Sequence, residues 1–168
     1  MTELFTTSPP WLHATVATAS EVDDLVCSLA QKHPGSAVRK LRGGKMLTRE
    51  ALWDECAAAL QFPSYFGHNW DAFDECLGDL EWLDASAYVL VINDAERLLS
   101  KDERDFSILV KILNQCGLSW SRGQGEAGRP AAFHSLFAAP TREQLEAFER
   151  RVHALQEERT GLQRVQVQ

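Results

Sequence analysis

Four carboxylates at helical spacing mark the stretch of this chain whose chemistry can be interpreted most directly. Side chains three and four positions apart share one face of a helix, so the segment FPSYFGHNWDAFDECLGDL, residues 62–80, places Asp71, Asp74, Glu75 and Asp79 together. Like charges at this spacing repel one another by roughly 0.2–0.5 kcal/mol per pair. The helix dipole favours Asp71 and Asp74 near the helix N-terminus but not Asp79 near the other end. Stability alone therefore does not require this arrangement, which favours a surface that docks a strongly basic partner.

The surroundings of this acidic face carry the same sign of charge. From Glu50 to Glu96 the chain has eleven carboxylates and neither lysine nor arginine. Tyr65 stands in the turn between Pro63 and Gly67, where a tyrosine beside carboxylates can stack on a partner or form a hydrogen bond with it. Two structural alternatives stay open, namely an acidic face that is merely solvated and a tyrosine that packs under its loop.

Catalysis and metal binding are the other chemistries that these residue types allow. Cys76 and His68 could form a nucleophile and its base, but carboxylates beside the cysteine disfavour the thiolate, and about 12 Å of helix separates the two residues. His68, Asp71 and Glu75 have a helical spacing that suits a metal ion, but no metal-binding signature accompanies them. We therefore predict no enzymatic activity, no metal site and no cofactor. The widely spaced cysteines are predicted to be free thiols: Cys27, Cys56, Cys76 and Cys116.

Apolar patterns predict the elements that must hold this face. Trp70, Phe73, Leu77 and Leu80 form an apolar stripe on a helix that runs from about His68 to Gly78. Elsewhere short apolar strands alternate with helices, which is typical of an α/β domain with a largely parallel sheet. Strands are predicted at residues 36–41, 87–92 and 131–138, with a further candidate at 11–19, and helices at 20–33, 48–60, 102–115 and from 141 onward. Gly117 is expected to end the helix at 102–115. Residues 119–130 are expected to form a flexible loop. His134 is expected to be a core or rim residue.

Composition and charge limit the partners. The chain has 168 residues and a formal net charge of −7. Nucleic acid and anionic membranes are therefore unfavourable partners because their phosphates would be repelled, whereas a basic protein is a suitable one. No apolar run approaches the roughly 20 residues of a membrane helix, and the start of the chain, MTELFTTSPPW, lacks the basic and apolar regions of a secretory signal. We therefore expect a cytoplasmic protein.

The segment YFGHNWDAFDECL, which follows a short apolar helix and the dipeptide Phe62-Pro63, resembles the barstar family of ribonuclease inhibitors. The resemblance extends upstream through AVRKLRGGKMLTREALWDECAAALQFP and downstream through YVLVI and AAFHSLFA, so it covers residues 36–138. It implies a barstar-like α/β fold in which a parallel sheet of about three strands is packed with helices. Residues 1–35 and 139–168 are then extensions, of which the first can add a strand and a helix and the second is helical.

Barstar-like proteins inhibit a secreted, basic, barnase-like ribonuclease inside the bacterial cell that makes it. The resemblance therefore implies an intracellular inhibitor whose acidic helix and preceding loop block the active site of such an enzyme and mimic RNA phosphates. Tyr65 matches the loop tyrosine of the family and Asp71 its first interface aspartate, while Gly67 and Asn69 match residues that shape the start of the helix. The predicted partner-binding residues are Tyr65, Gly67, His68, Asn69, Asp71, Asp74, Glu75 and Asp79.

Several positions depart from the family prototype. Glu75 stands where the prototype has its dominant aspartate, and Asp74 stands where it has a tryptophan. Asp79 and Leu80 replace a glycine–tryptophan pair. Asn114 replaces a glutamate of the last core helix. The carboxylate of a glutamate lies one methylene group further from the backbone than that of an aspartate, and the longer side chain loses more conformational entropy when it is ordered. These changes favour a ribonuclease or toxin other than barnase itself. The alternative is an acidic immunity or adaptor protein that binds a toxin without ribonuclease activity or another basic partner.

Overall fold

Strands and helices alternate along the chain, as the apolar pattern predicts. The computed structural model describes residues 1–124, 128–155 and 162–164. The strands are β1 (Leu12–Val16), β2 (Ala37–Arg42), β3 (Ala87–Asn93), β4 (Ala132–Ala139) and β5 (Leu162–Arg164). The helices are α1 (Ala19–Lys32), α2 (Arg49–Leu60), α3 (Trp70–Asp79), α4 (Glu103–Ser121) and α5 (Arg142–Ala154). Over the described residues, none of these helices combines the length and the apolar character that crossing a membrane requires.

The described strands pair in one parallel sheet with the order β2-β3-β4-β1-β5. The α/β class and the parallel sheet packed with helices are confirmed, but the expectation of about three strands is wrong. Four strands have five to eight residues, and β5 adds three residues at one edge. β1 lies between β4 and β5, so segments outside residues 36–138 extend the sheet beyond the three strands that the resemblance implies.

Helices cover the two faces of this sheet unequally. On one face, Val22, Leu25 and Leu29 of α1 share a core cluster with Val89 and Val91 of β3. The other face carries α2, α3, α4 and α5 around a larger core. All seven residues of β3 are buried, as predicted for a central strand that is covered on both sides. α3 shares this larger core with the sheet and packs beside α4.

A buried histidine pair holds β1 against β4. His13 Nε2 and His134 Nδ1 lie 2.9 Å apart, and both residues are fully buried. His134 Nε2 donates to the Thr6 carbonyl oxygen at 2.8 Å, so in the neutral ring Nδ1 accepts and His13 Nε2 donates. The prediction that His134 is a core or rim residue is confirmed. The pair also explains how a strand that contains a polar histidine can be buried.

The helix that was expected to end at Gly117 continues to Ser121. Position 117 needs a glycine because the Trp11 ring packs against it: a Cβ atom at this position would lie 2.4 Å from Trp11 Cγ. The prediction that this glycine stops the helix is therefore wrong: its missing side chain allows the Trp11 ring to lie against the helix backbone. The predicted loop at 119–130 starts later than expected, and its residues 125–127 lie outside the described residues.

The C-terminal segment is helical only in part. Thr141 Oγ1 accepts from the Gln144 N–H and caps α5, as predicted. The helix ends at Ala154, and residues 162–164 pair with β1 as a strand. Residues 156–161 and 165–168 of the expected helical extension lie outside the described residues.

Candidate functional site

The start of α3 is fixed by its own loop. Asn69 is the N-cap residue: its Oδ1 accepts from the Ala72 N–H at 2.9 Å, and its Nδ2 donates to the Gly67 carbonyl oxygen at 3.2 Å. The helix therefore begins at Trp70, two residues later than predicted. His68 has a φ of 47°, in the left-handed region that histidine occupies more often than most residues other than glycine. The cap and this turn together fix the direction in which α3 leaves the loop.

His68 is directed toward the loop and α2. Its Nδ1 lies 3.1 Å from the Phe66 carbonyl oxygen, and its Nε2 lies 3.6 Å from Asp54 Oδ1. Its ring also lies against the Phe66 ring, with 4.7 Å between the centroids. Across the part of the chain that the structure describes, no three histidine, cysteine, aspartate or glutamate side chains are grouped so that they could hold a metal ion. His68, Asp71 and Glu75 therefore do not converge as a group of three ligands in this structure.

One face of α3 and its C-cap residue are anchored in the core, as the apolar stripe predicts. Phe73, Leu77 and Leu80 are almost completely buried, and Trp70 is half-buried. Trp70 Nε1 donates to Asp105 Oδ1 of α4 at 3.2 Å. Fully burying a side chain of this kind stabilises the fold by about 1.5–3 kcal/mol. The anchored stripe therefore holds the opposite face of α3 toward solvent.

That opposite face carries four carboxylates. Asp71, Asp74 and Glu75 are exposed, and Asp79 is half-buried. None of them forms an ion pair with another residue of the described ranges. Asp79 Oδ1 accepts instead from the Glu81 N–H at 3.1 Å. The structure thus brings the predicted acidic residues together as a field of one sign on a fixed helix.

Asp74 is also in contact with α4. Its Oδ1 accepts a hydrogen bond from the buried Cys116 thiol, with 3.8 Å between sulfur and oxygen. Partial burial raises the pKa of Asp74, the Cys116 hydrogen bond opposes this rise, and the charges of Asp71 and Glu75 add to it. The pKa of this carboxyl therefore lies above its usual value. A cation brought by a partner would relieve the repulsion.

A cleft of about 550 Å³ opens beside this acidic face. Tyr65 is 71% exposed, which rules out the alternative that it packs under its loop. Gln124, which follows α4, also lines the cleft. Sequence patterns do not reveal this, because the residue is distant along the chain. With two carboxylates and two aromatic rings in its lining, the cleft suits a cationic side chain. It is lined by Tyr65, Phe66, Ala72, Glu75, Cys76, Gly78, Asp79 and Gln124.

The cysteine thiols near α3 are not activated as nucleophiles. Burial, together with the charges of Asp79 and Glu75, raises the pKa of the Cys76 thiol. Desolvation likewise raises the pKa of Cys116. A thiol with a raised pKa is a poor nucleophile at neutral pH. The prediction that all four cysteines are free is confirmed, with Cys27 exposed and the others buried.

A known protein family matches the part of the chain that contains α3. The family model for Barstar, described as the barnase inhibitor, matches residues 36–138, more than half of the chain. The chain therefore belongs to the Barstar family. The matched segment includes α2, α3 and α4, and hence the acidic face and the elements that support it.

Comparison with solved structures adds a likeness of fold. The structure of the Aeropyrum pernix ORC2 protein in its ADPNP–ADP complexes superposes with a TM-score of 0.56 at 9% sequence identity. The likeness covers 93% of this chain and 41% of that chain, so this chain spans less than half the length of that protein. At such low identity it shows a similar fold and nothing about function. No curated protein matches the chain.

Proposed function

We propose that this protein is an intracellular inhibitor of a basic, barnase-like ribonuclease. Its membership of the Barstar family supports inhibition as the general role. The acidic face of α3, whose carboxylates have no ion-pair partner among the described residues, is the observation that carries the proposal for the site. A ribonuclease must present cationic groups to RNA phosphates, and a preformed row of carboxylates complements such groups.

In this proposal inhibition is achieved by occupying the active site. α3 and the loop before it enter the groove that would hold RNA, and the carboxylates take the places of phosphates. They pair with the arginine, lysine and histidine side chains of the enzyme. Because the backbone of α3 is anchored before binding, little backbone conformational entropy is lost when the complex forms. No covalent chemistry is required of the inhibitor.

The individual residues have different roles in this account. Glu75 and Asp79 line the cleft and receive one cationic side chain of the enzyme, against the exposed ring of Tyr65. Asp71 and Asp74 lie outside the cleft and pair with further cations on the same face of α3. Gly67, His68 and Asn69 act through position, because their contacts shape the loop and the helix start.

The positions at which this chain differs from the family prototype bear on which enzyme it inhibits. Glu75 extends its carboxylate further than the aspartate of the prototype does, and Asp79 adds a charge to the wall of the cleft. The cation that fits here must therefore lie differently from its counterpart in barnase, which favours another ribonuclease as the partner. The same two residues favour, as a second candidate function, an acidic immunity or adaptor protein that binds a toxin without ribonuclease activity.

Titration of the purified protein against a set of basic ribonucleases, barnase included, tests this proposal. We expect stoichiometric loss of RNA cleavage with at least one of them. The association rate should fall steeply with added salt, because exposed charges are screened over about 10 Å at 0.1 M ionic strength; barnase and barstar are themselves a reference pair for such steering. If no ribonuclease is inhibited while a basic toxin of another kind binds α3, the second candidate replaces the first.

A further inference from the structure

A second charged surface lies at the carboxyl ends of β2 and β3, and its sign is opposite to that of α3. It is a hollow of about 370 Å³. β2 and the turn after it belong to the stretch from Lys32 to Arg49, which contains six basic residues and no acidic one. In a chain with a net charge of −7, so local a concentration of cations indicates a specific role. The hollow is lined by Lys40, Arg42, Gly44, Lys45, Asn93, Asp94 and Arg97.

Strand alternation separates this basic hollow from the acidic face of α3. Val38 and Val91 face α1, and Lys40 and Asn93, two positions further along their strands, must face the same side. Lys40 does form an ion pair with Asp23 of α1. α3 packs against the core on the other face of the sheet. The two surfaces can therefore be occupied independently.

Two cations of the hollow are available for a ligand. Lys40 and Arg42 are already neutralised by carboxylates of α1 and α2. Lys45 and Arg97 are exposed and form no ion pair within the described part of the chain. Gly44 keeps the space between their segments open, since a Cβ atom there would lie 3.0 Å from an Arg97 guanidinium nitrogen. These two side chains provide free positive charge at the rim.

Asn93 gives independent evidence for a ligand. It is 5% exposed, and its Oδ1 has no hydrogen-bond partner among the described residues. Its Nδ2 donates to Asp94 Oδ2 at 2.6 Å, and this identifies Oδ1 as an unused acceptor rather than a misassigned donor. Buried polar atoms normally have a partner. A donor group on a ligand in the hollow would supply one.

We propose that the basic hollow binds a small phosphate ester that carries a hydroxyl group. The phosphate lies between Lys45 and Arg97, which supply a point charge and a planar pair of donors for its oxygens. The hydroxyl donates to Asn93 Oδ1. The Asp94 carboxylate repels the phosphate from the inner end of the hollow and so sets the orientation, with the anion at the rim and the hydroxyl inside.

Two matched esters test this proposal on the full chain: glycerol 3-phosphate, which has hydroxyl groups, and n-propyl phosphate, which has none. Titrations followed by amide chemical shifts should give saturable binding of both, with glycerol 3-phosphate roughly three- to tenfold tighter because of one added hydrogen bond. Lys45→Gln and Arg97→Gln should each weaken both esters by about tenfold or more, and Arg97→Lys should recover part of the loss. Arg104→Gln, an exposed cation on α4, is the matched control and should change neither affinity.

The same titrations can overturn the proposal. If glycerol 3-phosphate does not saturate the parent protein, or binds the Lys45→Gln/Arg97→Gln variant equally well, the hollow is not a phosphate site. Equal affinity of the parent for the two esters would refute the role of Asn93. Asn93→Ala should abolish the preference for glycerol 3-phosphate; if that variant fails to fold, the comparison of the two esters on the parent still decides the point.

Discussion

Trp70 Nε1 donates to Asp105 Oδ1 across 3.2 Å, and this hydrogen bond joins the first residue of α3 to the first turn of α4. Asp105 is only 6% exposed, so its carboxylate has little access to water. The Trp70 ring also meets the Trp53 ring of α2 edge-on, with 5.7 Å between the centroids. The acidic face is therefore oriented by contacts to both neighbouring helices as well as by its own apolar stripe.

Replacing Asp105 should destabilise the protein through this contact. Asp105→Ala should lower the free energy of unfolding by about 1–3 kcal/mol, because the indole N–H of half-buried Trp70 loses its acceptor. Asp105→Asn keeps an acceptor of the same shape and should cost less. Urea unfolding of the two variants measures the difference. Equal destabilisation by both substitutions would show that the hydrogen bond does not contribute.

Replacing each of two helical glycines by alanine should change the stability of the fold in opposite directions. A Cβ atom at Gly78 would meet nothing within 4 Å, so Gly78→Ala should stabilise the fold by up to about 1 kcal/mol through helix propensity. Gly117→Ala should destabilise it by about 1–3 kcal/mol, because the new methyl group collides with the buried Trp11 ring. Thermal unfolding of the pair provides the test. An increase in stability for both variants would contradict the packing of Trp11 on α4.

The buried pair of His13 and His134 should make stability depend on pH. Burial, followed by the charge of His134, lowers the pKa of His13 to about 4, and burial also lowers the pKa of His134. In the unfolded chain both titrate near 6.5, so below that pH the unfolded state binds protons that the folded state does not. The free energy of unfolding should therefore fall as the pH drops from about 6.5 to about 4, by on the order of 3 kcal/mol for His13.

Urea unfolding at several pH values, compared with two variants, isolates this effect. His13→Gln should flatten the slope between about pH 6.5 and 5, above the usual range of carboxylate titration. Gln31→Ala changes an exposed residue of α1 that does not titrate and should keep the slope of the parent. The same slope in all three proteins would show that the buried pair does not control the pH dependence.

Tyr65 allows the cleft to be tested separately from the charges. Because the residue is 71% exposed, Tyr65→Ala should change the free energy of unfolding by less than about 0.5 kcal/mol. It should nevertheless weaken inhibition of the target ribonuclease by about tenfold or more, as expected for an aromatic anchor. Tyr65→Phe keeps the ring and should retain most of the inhibition. An unchanged inhibition constant for Tyr65→Ala would place the cleft outside the interface.

Local patterns predicted the parts of the fold that neighbouring residues determine. The apolar stripe of α3, the cap at Thr48 and the apolar run of β3 each depend on residues within a few positions. β1 was less evident, because it contains His13, whose burial depends on a partner 121 positions away. β5 has only three residues and was not predicted. The role of Gly117 cannot be predicted from local pattern, because it depends on contact with Trp11, which is distant in sequence.

In the candidate site, too, features set by neighbouring residues could be predicted from the sequence, whereas contacts between distant residues could not. Helical spacing sufficed to place Asp71, Asp74 and Glu75 on one exposed face, because the buried stripe determines the opposite side. The contact of Asp74 with Cys116 spans 42 positions and could not be predicted from spacing. Gln124 likewise reaches the cleft only because α4 packs beside α3. The parts of the site that depend on contacts between helices are therefore visible only in the structure.

We propose that the acidic face of α3 is the inhibitory surface. Two double variants test this assignment: Asp71→Ala/Glu75→Ala on α3, and Asp24→Ala/Glu143→Ala on α1 and α5. Each removes two exposed carboxylates, so the net charge changes equally in both.

The measurement is the inhibition constant of each protein against the basic ribonuclease that the parent inhibits. We expect the α1/α5 variant to inhibit nearly as well as the parent, and the α3 variant to inhibit roughly a hundredfold less well or worse. Thermal unfolding should show that both variants are folded. Inhibition by the folded α3 variant at the level of the parent would show that the acidic face of α3 is not the inhibitory surface.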